Sequence, residues 1–178
     1  MEKWDLYTWD RVKTGKTMYR GDPIPEGYYH LVVHICVFND RGEMLIQRRQ
    51  PFKQGWPGMW DVSVGGSAVE GDNSSTAAAR ELGEELGIEY DFASEKPLFT
   101  VYFPGGFDDY YAIRKNVEPE ELHLQYEEVA ETRWADLTEI LSMVEEGSFI
   151  PYRKELLTLL FRMRDGNGAL IREETNKA

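Results

Sequence analysis

Glu81, Glu84 and Glu85 lie three and four residues apart within Ser74–Leu86, SSTAAARELGEEL. A helix puts residues at those spacings on one face, so the three carboxylates gather. Like charges so placed repel by roughly 0.2–0.5 kcal/mol per pair in an isolated helix. A hard divalent cation removes that repulsion and uses the oxygens. Mg²⁺ suits them because it takes octahedral oxygen ligands and keeps waters for a substrate's phosphates, with Mn²⁺ as the alternative. Arg80, one residue before Glu81 and four before Glu84, carries a planar fork that holds a carboxylate in one orientation. Gly65 and Gly66 let the backbone turn sharply and bring a carbonyl to the metal. The expected metal site is Gly66, Glu81, Glu84 and Glu85, with Asp72 as a helix cap or a water-mediated ligand.

These side chains need a helix on a sheet. Asp72, Asn73 and Ser74 are all good N-caps, Gly87 stands where a left-handed C-cap belongs, and Ala78, Leu82 and Leu86 form an apolar face beside the glutamates. Upstream, 28–38 and 43–48 flank the turn Asn39-Asp40-Arg41-Gly42 and read as a hairpin. A short strand at 60–64 runs into Gly65. A second hairpin joins 98–103 to 110–114 around Pro104-Gly105-Gly106, and 129–134 is a further strand. Asp136-Leu137-Thr138-Glu139 has capping-box spacing and predicts a helix to about Glu146. Leu156, Leu157, Leu159, Leu160 and Met163 predict a C-terminal helix over 151–165. Residues 1–27 read as an extended arm and turn, and 171–178 as a loose tail. Strands and helices interleave without regular βαβ repetition, which predicts a mixed α/β fold with helices on both faces of a mixed sheet.

At 178 residues the chain has the length of one domain, 1–178, with a full core. Its formal charge of −12 argues against wrapping a nucleic acid polymer, which calls for a basic face. No apolar run approaches the ~20 residues that cross a bilayer, and no signal-like stretch opens the chain, so membrane partners are not expected. The single cysteine, Cys36, lies in an apolar strand and reads as a buried thiol in a reducing cytoplasm.

The spacing Gly66, five residues, Asp72, seven residues, Arg80-Glu81-Leu82-Gly83-Glu84-Glu85-Leu86-Gly87-Ile88 resembles the box of the Nudix hydrolases, here 66–88. Eight of nine specified positions match, and Asp72 keeps the carboxylate at the ninth. At average residue frequencies such a match arises by chance on the order of 10⁻⁷ times in a chain this long. The resemblance implies an αβα sandwich and Mg²⁺-dependent hydrolysis of a diphosphate linkage in a nucleoside diphosphate derivative or related organic diphosphate. It also implies frequent homodimers, for which Trp4–Trp9 offers a strand to a partner's sheet.

Residues 28–90 look most like the branch containing the type I isopentenyl-diphosphate isomerases, through Tyr28-Tyr29-His30-Leu31, Arg48-Arg49, Lys53 and Trp56-Pro57-Gly58-Met59-Trp60. By that resemblance Arg49 and Lys53 hold the substrate diphosphate. The isomerase's Cys position is Gly65 here, a ligand His is Ser67, and the nearest residues to its later acidic pair are Asp108 and Asp109, so its chemistry does not carry over. Lone His30 reads as structural. For hydrolysis, Glu81 and Arg80 set up the site and Glu84 is the first choice to act on the attacking water, with Glu128 or Glu127 as alternatives. Trp56 and Phe107, beside loop glycines, are expected to line the pocket. The alternative to a hydrolase is a non-catalytic binding or regulatory module of the same fold.

Overall fold

The central strand β3 (His30–Phe38) sends alternate side chains into two cores. Leu31, Val33, Ile35 and Val37 join one apolar cluster, whereas Cys36 and Phe38 join the other. The first cluster is closed by Ala77, Ala78, Leu82 and Leu86 of α1 (Ser74–Leu86), and the second by α2 (Leu137–Glu146) and α3 (Lys154–Met163). Helices therefore cover both faces, as the interleaved pattern predicts. The computed structural model describes residues 2–166 and 168; the expectation for the tail 171–178 lies outside them.

The sheet is mixed. β3 pairs in parallel with β8 (Gly106–Arg114) from His30↔Gly106 to Phe38↔Arg114, and β8 pairs antiparallel with β7 (Phe99–Phe103). On its other edge β3 meets β6 (Val64–Ser67) over Val32–Ile35 but β4 (Met44–Arg49) only at Phe38↔Met44. The expected 28–48 hairpin thus has its turn and little of its ladder. β6 takes the edge beyond Phe38, so β4 diverges to pair with β9 (Val129–Ala135) and with the two-residue β5 (Trp60–Asp61). The strand expected at 60–64 is likewise broken at Val62-Ser63. Ser63 Oγ accepts the Val37 N–H at 2.8 Å, and Asp61 accepts the Val62 N–H at 2.8 Å.

Asn73 caps α1, accepting from Thr76 N–H while the Thr76 hydroxyl accepts from Asn73 N–H, and Gly87 ends the helix at φ 68°. Asp136 caps α2 through the Glu139 N–H at 2.9 Å. The C-terminal helix is shorter than 151–165, and a single 3₁₀ turn occupies Pro119–Glu121.

The N-terminal segment is not an extended arm. β1 (Lys3–Tyr7) and β2 (Lys13–Tyr19) form a hairpin of their own, with Lys3 opposite Tyr19 and Trp4 opposite Met18. Leu6, Tyr7 and Met18 are buried, Trp4 stacks on His30 at 4.5 Å, and Tyr7 bridges to Tyr29. Burial of these apolar side chains outweighs the extended alternative. Because β1 is already paired with β2 and bridged to Tyr29, Trp4–Trp9 is not a free strand for a partner's sheet.

Candidate functional site

α1 lies against β6, and there the spacing of the glutamates acquires a geometry. Glu81 and Glu85 are buried, Glu84 is half-exposed, and all three line one cavity of about 360 Å³ together with Gly65, Gly66 and Ser67. Gly66 is in extended backbone rather than in a sharp turn. Its requirement is close approach, because a Cβ there would sit 2.1 Å from the Glu81 carboxyl carbon.

Arg80 organises the carboxylates. Its NH1 donates to Glu81 Oε1 at 2.9 Å and to Glu84 Oε2 at 3.1 Å. Nε and NH2 donate to Asp72 Oδ2 at 3.1 and 3.0 Å, and NH2 also reaches the Ser67 carbonyl at 3.0 Å. Asp72 additionally accepts from Val69 N–H and Thr76 Oγ1 and does not line the cavity. It is neither the helix cap nor directed at the glutamates. With one methylene fewer than Glu, it reaches Arg80 and stops there.

Glu85 accepts a hydrogen bond from Gln47 Nε2 at 2.9 Å, from an amide rather than a cation. Burial, and then the charge of Glu81, push its proton affinity well above that of an ordinary carboxylate. Burial raises Glu81 too, against the opposing pull of Arg80. Among the described residues no three acidic, histidine or cysteine side chains stand ready to hold a metal ion as they are; Arg80 engages Glu81 and Glu84 instead. The donor set nonetheless fits a hard cation: every donor is oxygen, two of the carboxylates are largely buried at the cavity wall, and the Gly66 cradle leaves room only for an unsubstituted backbone.

The second row of expected residues divides. Arg49 lines the cavity, with Nε donating to Gly55 O at 3.0 Å and NH1 3.7 Å from Asp61. Lys53 is paired with Glu128 and does not line the cavity, whereas Glu128 does. Glu127 is exposed and outside the lining. Trp56 lines the cavity half-exposed, in a left-handed backbone at φ 51° that non-glycine residues rarely adopt. Phe107 does not reach the pocket. Strand alternation turns it to the α1 face, where it is 1% exposed, meets the Tyr7 ring edge-on at 5.4 Å and lies under the Arg11 guanidinium at 4.7 Å. His30 Nδ1–H donates to Gly105 O, 3.0 Å away, and His30 does not line the cavity. Cys36 is fully buried, and burial pushes its thiol pKa up.

Several lining residues carried no expectation. His34 stacks on Tyr110 at 4.6 Å with its Nε2 3.4 Å from Asp108, and Tyr152 donates to Asp61 at 2.8 Å. The period of β3 held a signal for His34, which alternates with apolar Val33 and Ile35 and so faces away from the α1 core. Asp108 and Asp109 follow the same rule. Asp108 faces the cavity, while Asp109 is wholly buried on the α1 face, accepting from Arg11, Ser74 and Thr100 at 2.6 Å each.

The NUDIX domain model matches residues 28–159. An uncharacterized Nudix hydrolase of Listeria monocytogenes is 46% identical over 165 residues, 93% of this chain and 96% of that protein. An isopentenyl-diphosphate Delta-isomerase of Klebsiella pneumoniae is 33% identical over 123 residues, 64% of either chain. A Deinococcus radiodurans protein of known crystal structure superposes with a TM-score of 0.71 at 27% identity, covering 90% of this chain and 98% of that one.

Proposed function

The chain belongs to the Nudix hydrolase family, and from that premise we propose that it is a Mg²⁺-dependent pyrophosphohydrolase acting on a nucleoside diphosphate derivative or related organic diphosphate. One observation carries the reading: Glu81, Glu84 and Glu85 open into a single cavity with Gly66 and the guanidinium of Arg49. An enzyme of this class needs acidic oxygens for a cation and a positive group for phosphate in the same enclosed space.

Glu81, Glu84 and Glu85, with the Gly66 carbonyl, would hold the divalent ion, Mg²⁺ or Mn²⁺. When bound, such an ion neutralises charge developing at phosphorus and acidifies a water. Arg80 orients Glu81 and Glu84 through its paired hydrogen bonds. Glu84, the most exposed of the three, takes the proton of the attacking water. Glu128, at the cavity wall and paired with Lys53, is the alternative base. Arg49 binds phosphate oxygens, and Trp56 offers a planar face to the leaving moiety. Gly65 supplies no acid where the isomerases carry theirs, so alkene protonation has no donor there.

A cytoplasmic setting is part of the proposal, on the single buried thiol; among the described residues no helix is long and apolar enough to cross a membrane. Homodimerisation is included on the family resemblance, through a surface other than Trp4–Trp9, and light scattering at micromolar concentration tests it. The activity itself is tested by chromatographic detection of the hydrolysis products (two phosphomonoesters, or a phosphomonoester with inorganic phosphate or pyrophosphate) across nucleoside di- and triphosphates, nucleotide sugars, ADP-ribose, NADH, CoA and isopentenyl diphosphate, with and without Mg²⁺. Turnover that requires both the metal and Glu84 is expected, with Glu84→Gln lowering kcat by roughly 10²–10⁴-fold. Turnover indifferent to the metal or to Glu84→Gln overturns the reading.

A further inference from the structure

The N-terminal hairpin lies outside the residues that the family model matches, 28–159. Its open end nevertheless lines the cavity, through Glu2 and Arg20. That end is fixed in place. Arg20 N–H donates to the Glu2 carbonyl at 3.0 Å, and the Glu70 N–H donates to Lys3 O at 2.7 Å. Lys3 Nζ lies 2.9 Å from Glu70 Oε1, and Gly71 N–H donates to Asp5 Oδ2 at 2.9 Å. These bonds clamp β1 onto the loop between β6 and α1. At the far end of the hairpin Arg11 is anchored on buried Asp109.

The charge in the cavity gives this placement a purpose. Seven carboxylates line it against two guanidiniums, those of Arg20 and Arg49. Arg49 is already drawn towards Gly55 O and Asp61, and Lys53 and Arg80 are committed to carboxylates. Among the described residues the Arg20 side chain holds only Glu2, at 2.9 Å, with side chains 53% and 43% exposed. Exposed pairs of this kind are weak and easily exchanged. A phosphate carries more charge than one carboxylate and accepts two parallel N–H bonds from a guanidinium.

We propose that Arg20 is a substrate-contacting residue, which leaves Glu2 and binds non-bridging oxygens of the substrate's diphosphate, so that residues 2–20 are part of the active site. This rests on the hydrolase reading above. Glu2 acts as the placeholder that keeps Arg20 aimed at the cavity and competes with the incoming anion.

The test is calorimetric titration of methylenediphosphonate and of adenosine α,β-methylenediphosphate in excess Mg²⁺, beside titration of Mg²⁺ alone. Arg20→Ala is expected to weaken analogue binding by about 10- to 100-fold, the size of a charge-assisted hydrogen bond, without changing binding of Mg²⁺ alone. Arg20→Lys recovers part of the loss, since it keeps the charge and loses the fork. Glu2→Gln tightens binding by about 2- to 5-fold, because it removes the competitor. The opposite signs are decisive: if the pair only latches the hairpin, Arg20→Ala and Glu2→Gln weaken binding alike, and the inference is overturned. Analogue binding that is unaffected by Arg20→Ala overturns the inference and leaves the hydrolase reading standing. No binding of either analogue by the wild type overturns both.

Discussion

Replacing Gly66 by alanine would add one methyl group to the cavity wall and displace the buried carboxylate on which the site turns. The new Cβ would lie 2.1 Å from Glu81 Cδ and 2.4 Å from each carboxylate oxygen. To reach ordinary contact at 3.4 Å, the carboxyl must retreat by about 1.3 Å. Position 66 lies in extended backbone, so alanine brings no φ strain, and the obstructing atoms are the end of a flexible side chain. The fold should therefore survive. The cost in stability is about 1–2 kcal/mol, from loosening the Arg80 NH1 hydrogen bond to Glu81 at 2.9 Å.

Activity should suffer more, since a displacement near 1 Å in a positioned catalytic group costs on the order of 10²-fold. Urea denaturation and steady-state kinetics separate the two effects: Gly66→Ala is expected to unfold cooperatively, close to wild type, with kcat down about 100-fold. In a Glu81→Ala background the same substitution should cost almost nothing further, because the group it displaces is gone. Wild-type activity in folded Gly66→Ala, or full additivity with Glu81→Ala, refutes the reasoning.

Phe107→Ala should cost about 3–5 kcal/mol in urea denaturation, as a cavity-forming change in the core. Trp56→Gly should keep stability within about 0.5 kcal/mol, since glycine relieves the φ 51° backbone, while raising KM; a reversed pattern would place Phe107 at the pocket and Trp56 in the core. Asp109→Ala strips a partner from Arg11, Ser74 and Thr100 and should destabilise by about 2–4 kcal/mol, with amide exchange rising first in residues 3–19. Cys36, fully buried with its pKa raised by burial, should react with Ellman's reagent only as fast as the protein unfolds; fast native labelling would contradict its packing.

Local signals made much of this protein legible. α1 could be read from end to end because its caps, its apolar face and its glutamates repeat at helical spacing. The same holds for Asp136 at the start of α2. Pairing partners were less accessible. The turn at Asn39–Gly42 is written in the sequence, but nothing local tells β4 to leave β3 for β9; that depends on β6, some 20 residues later, occupying the same edge. Phe107 was misread for a related reason. Its neighbouring glycines signal a turn, yet β8 begins at Gly106, and strand alternation from that start sends Phe107 inward and Asp108 outward. Arg20 and Glu2 carry no motif at all. Their approach to the cavity follows from hydrogen bonds between β1 and the loop at Glu70-Gly71, contacts made across more than 60 residues of chain.

The intervals within the box also acquire a mechanical meaning. Across the five residues that follow Gly66 the chain rounds the loop under β1 to reach Asp72, and two helical turns later Arg80 returns to meet Asp72 and the Ser67 carbonyl. Glu81 then falls against Gly66. Strand, loop and helix are thus closed into a ring by one guanidinium, which also compensates the glutamates. The carboxylate at position 72 meets Arg80, Val69 N–H and Thr76 Oγ1, contacts that aspartate is long enough to make where the family pattern has glutamate. That closure explains how the acidic face is assembled: Arg80 meets part of the repulsion at Glu81 and Glu84, while Glu85 is held by an amide alone, and on the proposed hydrolase reading a cation would supply the positive partner it lacks.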